Sequence, residues 1–440
     1  MRDLLSIGTS RGCEMIGTGI GLGLSGFRVN PPGFPATLDL NFASSLSLTS
    51  SSGITPSFSR ASTGTFFNSS GVLTSAAIND PRFNHVYNGS SWVSKGLLVE
   101  QQRVNYVKYA NDLSTNWTNE AGATREYNSI VSPDGGTNAT KVNVAASDYS
   151  GIYQNPLLNA GSGIYTYSIF AKKGTKDWLW ILNTAGAGAS QTSFNISNGT
   201  IGTVNSGYSA TITNCGNGWY RCTFTTTTST PAWFQFGFSD ANNSIRPTST
   251  GYSYVYGAQI ELGSFATSFI PNNTASSVTR SADVCQITGG DFSGFWNASE
   301  GSVAVEYEQI RPLNIGTLVN FNDGGTSNAM YDYVSEGNSG GIDYGPSFYI
   351  RSSGTFTVAI NNSPIVSGQQ KYAAAFKTND FAMSYFGGTV QTDTTVTLPT
   401  VNQMGIGKPL FPQYPFSGHI ARLRYYNTRL TNSQLQGLTL

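Results

Sequence analysis

The sequence predicts an all-β protein made of two antiparallel β-sandwich (jelly-roll) domains, preceded by an extended, glycine-rich N-terminal segment. Charged residues make up 11% of the 440 residues, glycine occurs 50 times, and aromatic residues reach 12%. A typical globular protein contains about 25% charged residues. The aromatic content is enough to build cores, and the many serine, threonine, asparagine and glycine residues suit strands joined by tight turns.

The residue pattern divides the chain into four regions. Residues 1–50 carry glycine at every second position from 17 to 23, which indicates an extended segment rather than a helix. Residues 51–110 contain short strand-like pieces that we expect to pack on the middle domain. Residues 111–285 and 286–440 alternate apolar and polar residues with period two, as in "GIYTYSIFAKK" and "GSVAVEYEQI", and each region predicts one sandwich.

Helical periodicity is confined to the C-terminal end. The stretch "LTNSQLQGL" predicts one short helix with Thr431 or Asn432 as its N-cap. A parallel sheet would require helices between successive strands, and no other window has a helical period. The sandwiches are therefore expected to be antiparallel.

Charge and hydropathy exclude several classes of partner. The 24 basic residues equal the 24 acidic residues in number, so no net field attracts nucleic acid or an anionic membrane. No apolar run reaches the roughly 18 residues of a membrane span. The stretch "MIGTGIGLGLSGF" resembles a signal-peptide core but lacks the flanking charge pattern and the cleavage site. We therefore expect synthesis in the cytoplasm without a signal peptide, and no membrane insertion.

The four cysteines do not form a metal motif. Cys13, Cys215, Cys222 and Cys285 include no CxxC pair, and the chain has only two histidines, so a zinc site is not expected. Cys215 and Cys222 flank "GNGWYR" and could face each other across a hairpin as a disulfide. The alternative, which we favour, is that both are buried free thiols.

Several motifs resemble those of bacteriophage and prophage fibre proteins. The N-terminal signature of that group is similar to "FSRAS", "NDPRFNH" and "GLLVEQQRVN" between residues 58 and 105. "NGWYR", "YVYGAQIELGSFATSFIPN" and "VTRSADV" continue the likeness in order, and the middle domain resembles the group's carbohydrate-binding-module-like jelly roll. The tail, "FSGHIARLRYYNTRLTNSQLQGLT", is similar to concanavalin A-like, laminin-G-type domains.

This resemblance implies a bacteriophage virion structural protein, a tail or head fibre or decoration, that binds host cell-surface polysaccharide for adsorption. It implies location in the virion and contact with other virion proteins, which we assign to the N-terminal segment. Weak sugar contacts gain from multivalency, so we expect a homotrimer. Two alternatives are a structural virion adaptor that binds no glycan and a capsule depolymerase.

Isolated arginines in a chain with few charges predict buried structural ion pairs, because an unpaired buried guanidinium is strongly destabilising. Arg60 stands alone among polar and aromatic residues in "SFSRASTGTFFNSSG", and Glu100 is its first predicted partner. Two other interpretations of Arg60 are a surface loop and a site for sialic or uronic acid. The residues predicted to form the ion pairs are Arg60, Arg82, Glu100, Arg221, Glu261, Arg280 and Asp283.

Aromatic side chains are the candidates for sugar binding, because their rings stack on the C–H faces of sugars while amides and carboxylates bind the hydroxyls. Trp178 and Trp180 share one face of a strand and form either a stacking platform or a core layer. Trp233 is a third candidate in the middle domain. In the last domain, the candidates are the aromatic–acid loops formed by Tyr331, Asp332, Tyr333, Asp343 and Tyr344.

Those loops could also hold Ca²⁺, with Asn322 and Asp323 as further oxygen ligands. The spacing of an EF-hand is absent from the sequence, and no other cofactor is expected.

The sequence does not predict an enzyme. Glu306 and Glu308 share one strand face, as a glycosidase pair would, but the surrounding E-x-D-x-x-E pattern is absent. A Ser-His-Asp triad could use only His85 or His419, and neither lies near a G-x-S-x-G motif. The phosphate-binding G-x-x-x-x-G-K-[ST] motif is also absent.

Overall fold

The computed structural model describes 34–111, 113–155, 161–183, 191–228, 233–310, 316–334, 337–339, 342–344, 346–361, 368–395 and 397–440. At 337–339, 342–344, 357–359 and 361 the description extends to the backbone alone. The chain divides into two compact units, residues 1–35 and 36–440. Residues 1–33 of the predicted N-terminal docking and oligomerisation segment, which spans 1–50, lie outside the described residues.

The prediction of an all-β, antiparallel fold is confirmed, since every strand pairing in the described part of the chain is antiparallel. The middle sandwich consists of two six-stranded sheets. Sheet 1 contains, in spatial order, Ser209–Asn214, Trp219–Thr228, Gly163–Lys172, Gly251–Leu262, Ala139–Val144 and Thr124–Ile130. Sheet 2 contains Thr200–Ile201, Thr192–Asn195, Trp178–Leu182, Phe234–Ser239, Gly151–Gln154 and Thr118–Glu120.

The C-terminal sandwich also consists of two sheets. Sheet 3 contains Gln391–Asp393, Phe381–Tyr385, Gln370–Lys377, Glu300–Gln309, Gly418–Tyr426, Trp92–Val99 and Phe83–Tyr87, with Leu38–Leu40 also paired to Gly418–Tyr426. Sheet 4 contains Ser57–Ser59, Val284–Thr288, Gln403–Ile406, Val319–Asn322, Ala329–Tyr333, Ser347–Ser352 and Thr355–Asn361. Each sandwich has its own hydrophobic core between its two sheets.

Small elements connect these sheets. Three two-stranded pairs are Gly64–Phe67 with Leu73–Ala76, Arg103–Asn105 with Val278–Arg280, and Gly337–Ser339 with Ile342–Tyr344. The helices of the described residues are Phe42–Ser45, Gly289–Ser293 and Asn432–Thr439, and none is long and apolar enough to span a membrane. The predicted C-terminal helix is confirmed with Thr431 as its N-cap. Thr431 and Gln434 form a reciprocal capping box, in which each side chain accepts a hydrogen bond from the backbone N–H of the other residue.

The segment 51–110 contributes to both sandwiches. Ser57–Ser59 pairs with Val284–Thr288 in sheet 4, and Trp92–Val99 pairs with Gly418–Tyr426 in sheet 3. Its hairpin meets the middle sandwich, where the Thr65 hydroxyl donates to the Phe269 carbonyl over 2.5 Å. The segment thus joins sequence-distant parts of the chain and is more than a layer on the middle domain.

A buried ion-pair cluster lies where this segment meets both sandwiches. Arg82 binds Glu100 (2.7 Å) and Asp283 (2.5 Å), and Asp283 also binds Arg60 at 3.1 Å. Arg280 lies 3.5 Å from Glu100, and all five residues are at most 2% exposed. Arg60 therefore pairs with Asp283 rather than with Glu100. Its burial also excludes both the surface-loop and the acidic-sugar interpretations.

The Glu100 carboxylate connects the cluster to the middle sandwich. It accepts hydrogen bonds from the backbone N–H and the hydroxyl of Ser268, both at 2.7 Å. Burial by itself would raise the pKa of Glu100. Arg280, Arg82 and the Ser268 hydrogen bonds outweigh burial and hold that pKa well below its ordinary range. The carboxylate is therefore ionised at neutral pH and contributes stability there.

The remaining predicted ion-pair residues form a hydrogen-bonded group beside this cluster. Glu261 accepts from the Thr267 backbone (2.8 Å) and hydroxyl (2.7 Å), and it lies 3.6 Å from Arg103. Arg221 donates to the Thr267 carbonyl (2.6 Å) and to the Ser168 hydroxyl (3.0 Å). Among the described residues, Arg221 is thus bound by neutral acceptors rather than by a carboxylate.

Arg82→Ala is expected to lower the free energy of unfolding by about 3–5 kcal/mol, because Glu100 and Asp283 lose the cation that they share. In the wild type, the stability that ionised Glu100 contributes is lost only below the ordinary carboxyl pKa. This contribution therefore changes little between pH 8 and pH 5. In the variant, an underpaired buried carboxyl becomes protonated as the pH falls. The loss should therefore be smaller at pH 5 than at pH 8, as measured by urea unfolding.

Lys173→Ala is the matched control. Lys173 lies 2.6 Å from Asp177, but both side chains are 44% exposed, so its removal should cost less than about 1 kcal/mol at either pH. If the two variants lost the same free energy of unfolding, the cluster would not hold the two sandwiches together.

Candidate functional site

The outer face of sheet 2 brings the three tryptophan candidates together. In strand Trp178–Leu182, Leu179 and Ile181 point into the core between the sheets. Side chains alternate along a strand, so Trp178 and Trp180 point outward. The adjacent strand Phe234–Ser239 follows the same alternation, and Trp233 immediately precedes it. Trp178, Trp180 and Trp233 therefore share one face.

Trp180 is fully buried even though it points away from the core. Its ring lies over Gly237 on the neighbouring strand, where a Cβ atom would be only 2.4 Å from Trp180 Cζ2. Glycine is therefore required at residue 237. The indole N–H of Trp180 and the hydroxyl of its cross-strand neighbour Ser193 are both buried, and neither has a hydrogen-bond partner among the described residues.

The loop 240–249 crosses the Trp178 end of this face. On one side the Asn242 side-chain oxygen accepts from the backbone N–H of Thr203 at 2.8 Å. On the other side the backbone N–H of Tyr149 donates to the Ile245 carbonyl at 3.2 Å. Trp178 is half-buried beside Asn242. Trp178 and Trp180 are therefore packing residues of the outer face, not an open stacking platform and not part of the core between the sheets.

An aromatic pair occupies the opposite end of the face. The rings of Tyr153 and Trp233 lie 4.4 Å apart between centroids with an interplanar angle of 34°. Both side chains are half-buried, so part of each ring surface reaches solvent. On sheet 2, the Tyr153–Trp233 pair combines a defined ring geometry with partial exposure to solvent.

A carboxylate and an amide lie beside this aromatic pair. The Gln235 side-chain N–H donates to Glu120 at 2.7 Å. Gln235 is 2% exposed, whereas Glu120 is half-buried. Burial raises the pKa of Glu120. The strand register places Gly237 and Gly151 in line between Trp180 and Glu120. Because glycine has no side chain, the two strands present only hydrogen atoms to the face at these two positions.

The site formed by Tyr153, Trp233, Gln235 and Glu120 is suited to hydroxyl-rich ligands. An aromatic ring stacks on the C–H face of a sugar, and an amide–carboxylate pair accepts from and donates to adjacent hydroxyls. We call these four residues the aromatic–carboxylate site.

Sequence reasoning found Trp233 but missed the other three members. The alternation in "AWFQFGFSD" places Gln235 on the same face as Trp233, so this residue could have been identified. Glu120 lies 115 residues from Gln235 in sequence, and it joins the site only through the strand order of sheet 2. Tyr153 depends on the same strand order.

The candidates of the C-terminal sandwich lie in a strand rather than in loops. Asp332 points inward and is fully buried. Its carboxylate accepts from the backbone N–H groups of Leu318 (2.7 Å) and Val319 (3.0 Å) and from the Tyr372 hydroxyl. Burial raises the pKa of Asp332 to about 7, although these hydrogen bonds oppose the rise. Asp332 therefore acts inside the core and does not face a ligand.

Tyr331 and Tyr333 point to the opposite, outer face of sheet 4. Tyr331 stacks on Tyr349 with ring centroids 5.5 Å apart, and Tyr333 contacts Tyr414 edge-on at 4.9 Å. Tyr331 is fully buried in this cluster. The side chains of Asp343 and Tyr344 lie outside the described residues.

The predicted calcium ligands form a turn. Asn322 accepts from the backbone N–H of Gly324 and from Gln403, while Asp323 accepts from the N–H of Gly325 and from Asn328. No group of three or more histidine, cysteine, aspartate or glutamate side chains suited to a metal ion occurs in the described part of the chain. Cys215, Cys222 and Cys285 are buried free thiols.

No protein-family model and no curated protein sequence matches the chain. Parts of the chain are similar to solved structures. The Ruminococcus gnavus IT-sialidase CBM40 bound to α2,3-sialyllactose is 16% identical, with a TM-score of 0.28 over 33% of this chain and 84% of that chain. Domain 4 of AbnA, a GH43 extracellular arabinanase from Geobacillus stearothermophilus, in complex with arabinotriose, is 14% identical, with a TM-score of 0.29 over 40% of this chain and 84% of that chain.

The NanB sialidase from Streptococcus pneumoniae is 13% identical, with a TM-score of 0.29 over 35% of this chain and 26% of that chain. The neighbours thus include carbohydrate-binding modules with a β-sandwich fold. Each likeness covers only part of this chain at a low TM-score.

Asp332→Asn tests the buried carboxyl of the C-terminal sandwich. In the folded wild type Asp332 keeps its proton up to about pH 7, whereas the unfolded chain ionises near pH 4. Its raised pKa therefore makes the wild type lose stability, on the order of a few kcal/mol, as the pH rises from 4 to 7.

The asparagine variant should lack this loss, so its stability relative to the wild type should increase over that interval in urea unfolding at pH 4, 5.5 and 7. Thr392→Ala, in the strand Gln391–Asp393 of the same sandwich, is the control and should leave the pH profile unchanged, because it removes no titratable group. A constant difference between Asp332→Asn and the wild type at the three pH values would contradict the protonated state of Asp332.

Proposed function

We propose that this protein binds glycans through the aromatic–carboxylate site on the outer face of sheet 2. The observation that carries the proposal is the partly exposed Tyr153–Trp233 pair beside the hydrogen-bonded Gln235–Glu120 pair. Together they present a ring surface and both kinds of hydrogen-bonding group over a short stretch of one sheet. A site of this composition recognises a sugar ring by its C–H face and its hydroxyls at once.

The finer proposal is a bacteriophage fibre or decoration protein that adsorbs to host surface polysaccharide. It is supported by the sequence resemblance between residues 58 and 440, including the laminin-G-type tail, and by a surface composition poor in charge. In this proposal the N-terminal segment contacts other virion proteins. The protein would then act in the virion as a homotrimer.

We propose that the protein has no enzymatic activity of its own. Of the two glutamates that resemble a glycosidase pair, Glu306 lies 3.3 Å from Arg424 and Glu308 lies 2.6 Å from Lys95. Each of these two carboxylates is thus paired with a basic side chain. Burial lowers the pKa of His419 to about 4, and one ring nitrogen of this residue lies 2.8 Å from the Asn84 amide. These environments do not favour the capsule-depolymerase alternative.

Trp233→Ala is expected to weaken glycan binding at least about tenfold, since it removes one ring of the stacking surface. The measurement is a glycan array on the full chain, followed by calorimetric titration with the best glycan. Tyr127→Ala is the matched control, because Tyr127 is 43% exposed on sheet 1 of the same sandwich, and it should bind like the wild type.

Equal losses in the two variants would refute the aromatic–carboxylate site. If the wild type bound no glycan on the array, the non-binding adaptor would replace the proposed function.

The full chain is expected to sediment as a trimer at micromolar concentration. Weak single-site sugar contacts become effective when three sites act together. Sedimentation equilibrium over a tenfold concentration range measures this state, and a single monomeric species throughout would contradict the expectation.

A further inference from the structure

We propose that the aromatic–carboxylate site selects neutral glycans and excludes sugars that carry a carboxylate, such as sialic and uronic acids. This inference rests on the proposed function and deepens it by naming the class of ligand. It follows from the charges that surround Glu120 on the outer face of sheet 2.

The Glu120 carboxylate has a neutral partner. It accepts from the Gln235 amide at 2.7 Å, and no lysine or arginine of the described residues lies within ion-pair distance of it. Burial raises the pKa of Glu120, and no neighbouring cation offsets that rise. The site therefore presents a carboxylate without a basic partner among the described residues, which binds ligand groups that donate hydrogen bonds.

Several cations of the middle sandwich are already engaged elsewhere. Lys176, which is 3% exposed, binds Asp240 at 2.5 Å. Arg246, on the loop that crosses this face, lies 3.8 Å from Asp148. Arg125 donates to the carbonyls of Leu113 (2.5 Å) and Trp117 (2.8 Å). Lys176 and Arg125 therefore have acceptors of their own, so neither is left as a dedicated counter-ion for an acidic ligand.

The energetic consequence is asymmetric. A sugar hydroxyl donates to Glu120 and gains a charge-assisted hydrogen bond, which is stronger than a neutral one. A ligand carboxylate in the same place meets a like charge on a half-buried surface, and like-charge contacts across an interface cost several kcal/mol. Neutral glycans should bind at least about tenfold more tightly than their matched acidic derivatives.

The test uses the full chain and matched glycan pairs that differ only in an acidic group: each neutral oligosaccharide bound on the array, and the same oligosaccharide carrying a sialic or uronic acid. Glu120→Gln keeps the shape and removes the charge, so it should bring the affinity ratio within a pair close to one. Glu120→Lys should reverse the preference. Glu126→Gln, which removes an exposed carboxylate from sheet 1, should leave the ratio unchanged.

The outcomes separate the two levels of the proposal. If binding depends on Trp233 but the acidic member of each pair binds as well or better, neutral selection is wrong and the binding site stands. If neutral selection is found but Glu120→Gln leaves the ratio unchanged, Glu120 is not its cause. If no glycan binding depends on Trp233, the proposed function fails and takes neutral selection with it. Circular dichroism of each variant confirms that it is folded.

Discussion

The two-sandwich part of this protein depends on one buried electrostatic contact, the binding of Arg82 to both Glu100 and Asp283. At these side chains the 51–110 segment meets Asp283, which lies 201 residues after Arg82, and Ser268 of the middle sandwich completes the group. Buried charges are stable only when each is paired and hydrogen-bonded. Each of these charged side chains therefore requires its partner, and the contact fixes where the 51–110 segment enters both sandwiches.

The same constraint limits what the protein can bind. Arg60, Arg82 and Arg280 are at most 1% exposed. Their guanidinium groups therefore stabilise the fold and do not face a ligand. The partly exposed end of the outer face of sheet 2 carries other groups, Tyr153 and Trp233 together with an amide and one carboxylate.

Packing and recognition are divided along that face. At one end Trp180 lies over Gly237, and the loop 240–249 crosses the strands beside Trp178. At the other end the aromatic pair keeps part of its surface in solvent. The close packing of Trp180 on Gly237 limits side-chain motion next to the site. Less entropy is then lost when a ligand binds.

The sequence by itself determined the fold class and the C-terminal helix, with its N-cap at Thr431 or Asn432, because period-two alternation and capping residues are local signals. It also indicated that the isolated arginines needed acidic partners. Only the tertiary structure decided that Arg60 pairs with Asp283, that Asp332 faces a core, and that Glu120 joins Trp233. These contacts depend on strand order and on which face of a strand is covered. Both are set by pairing between different strands, which local periodicity does not encode.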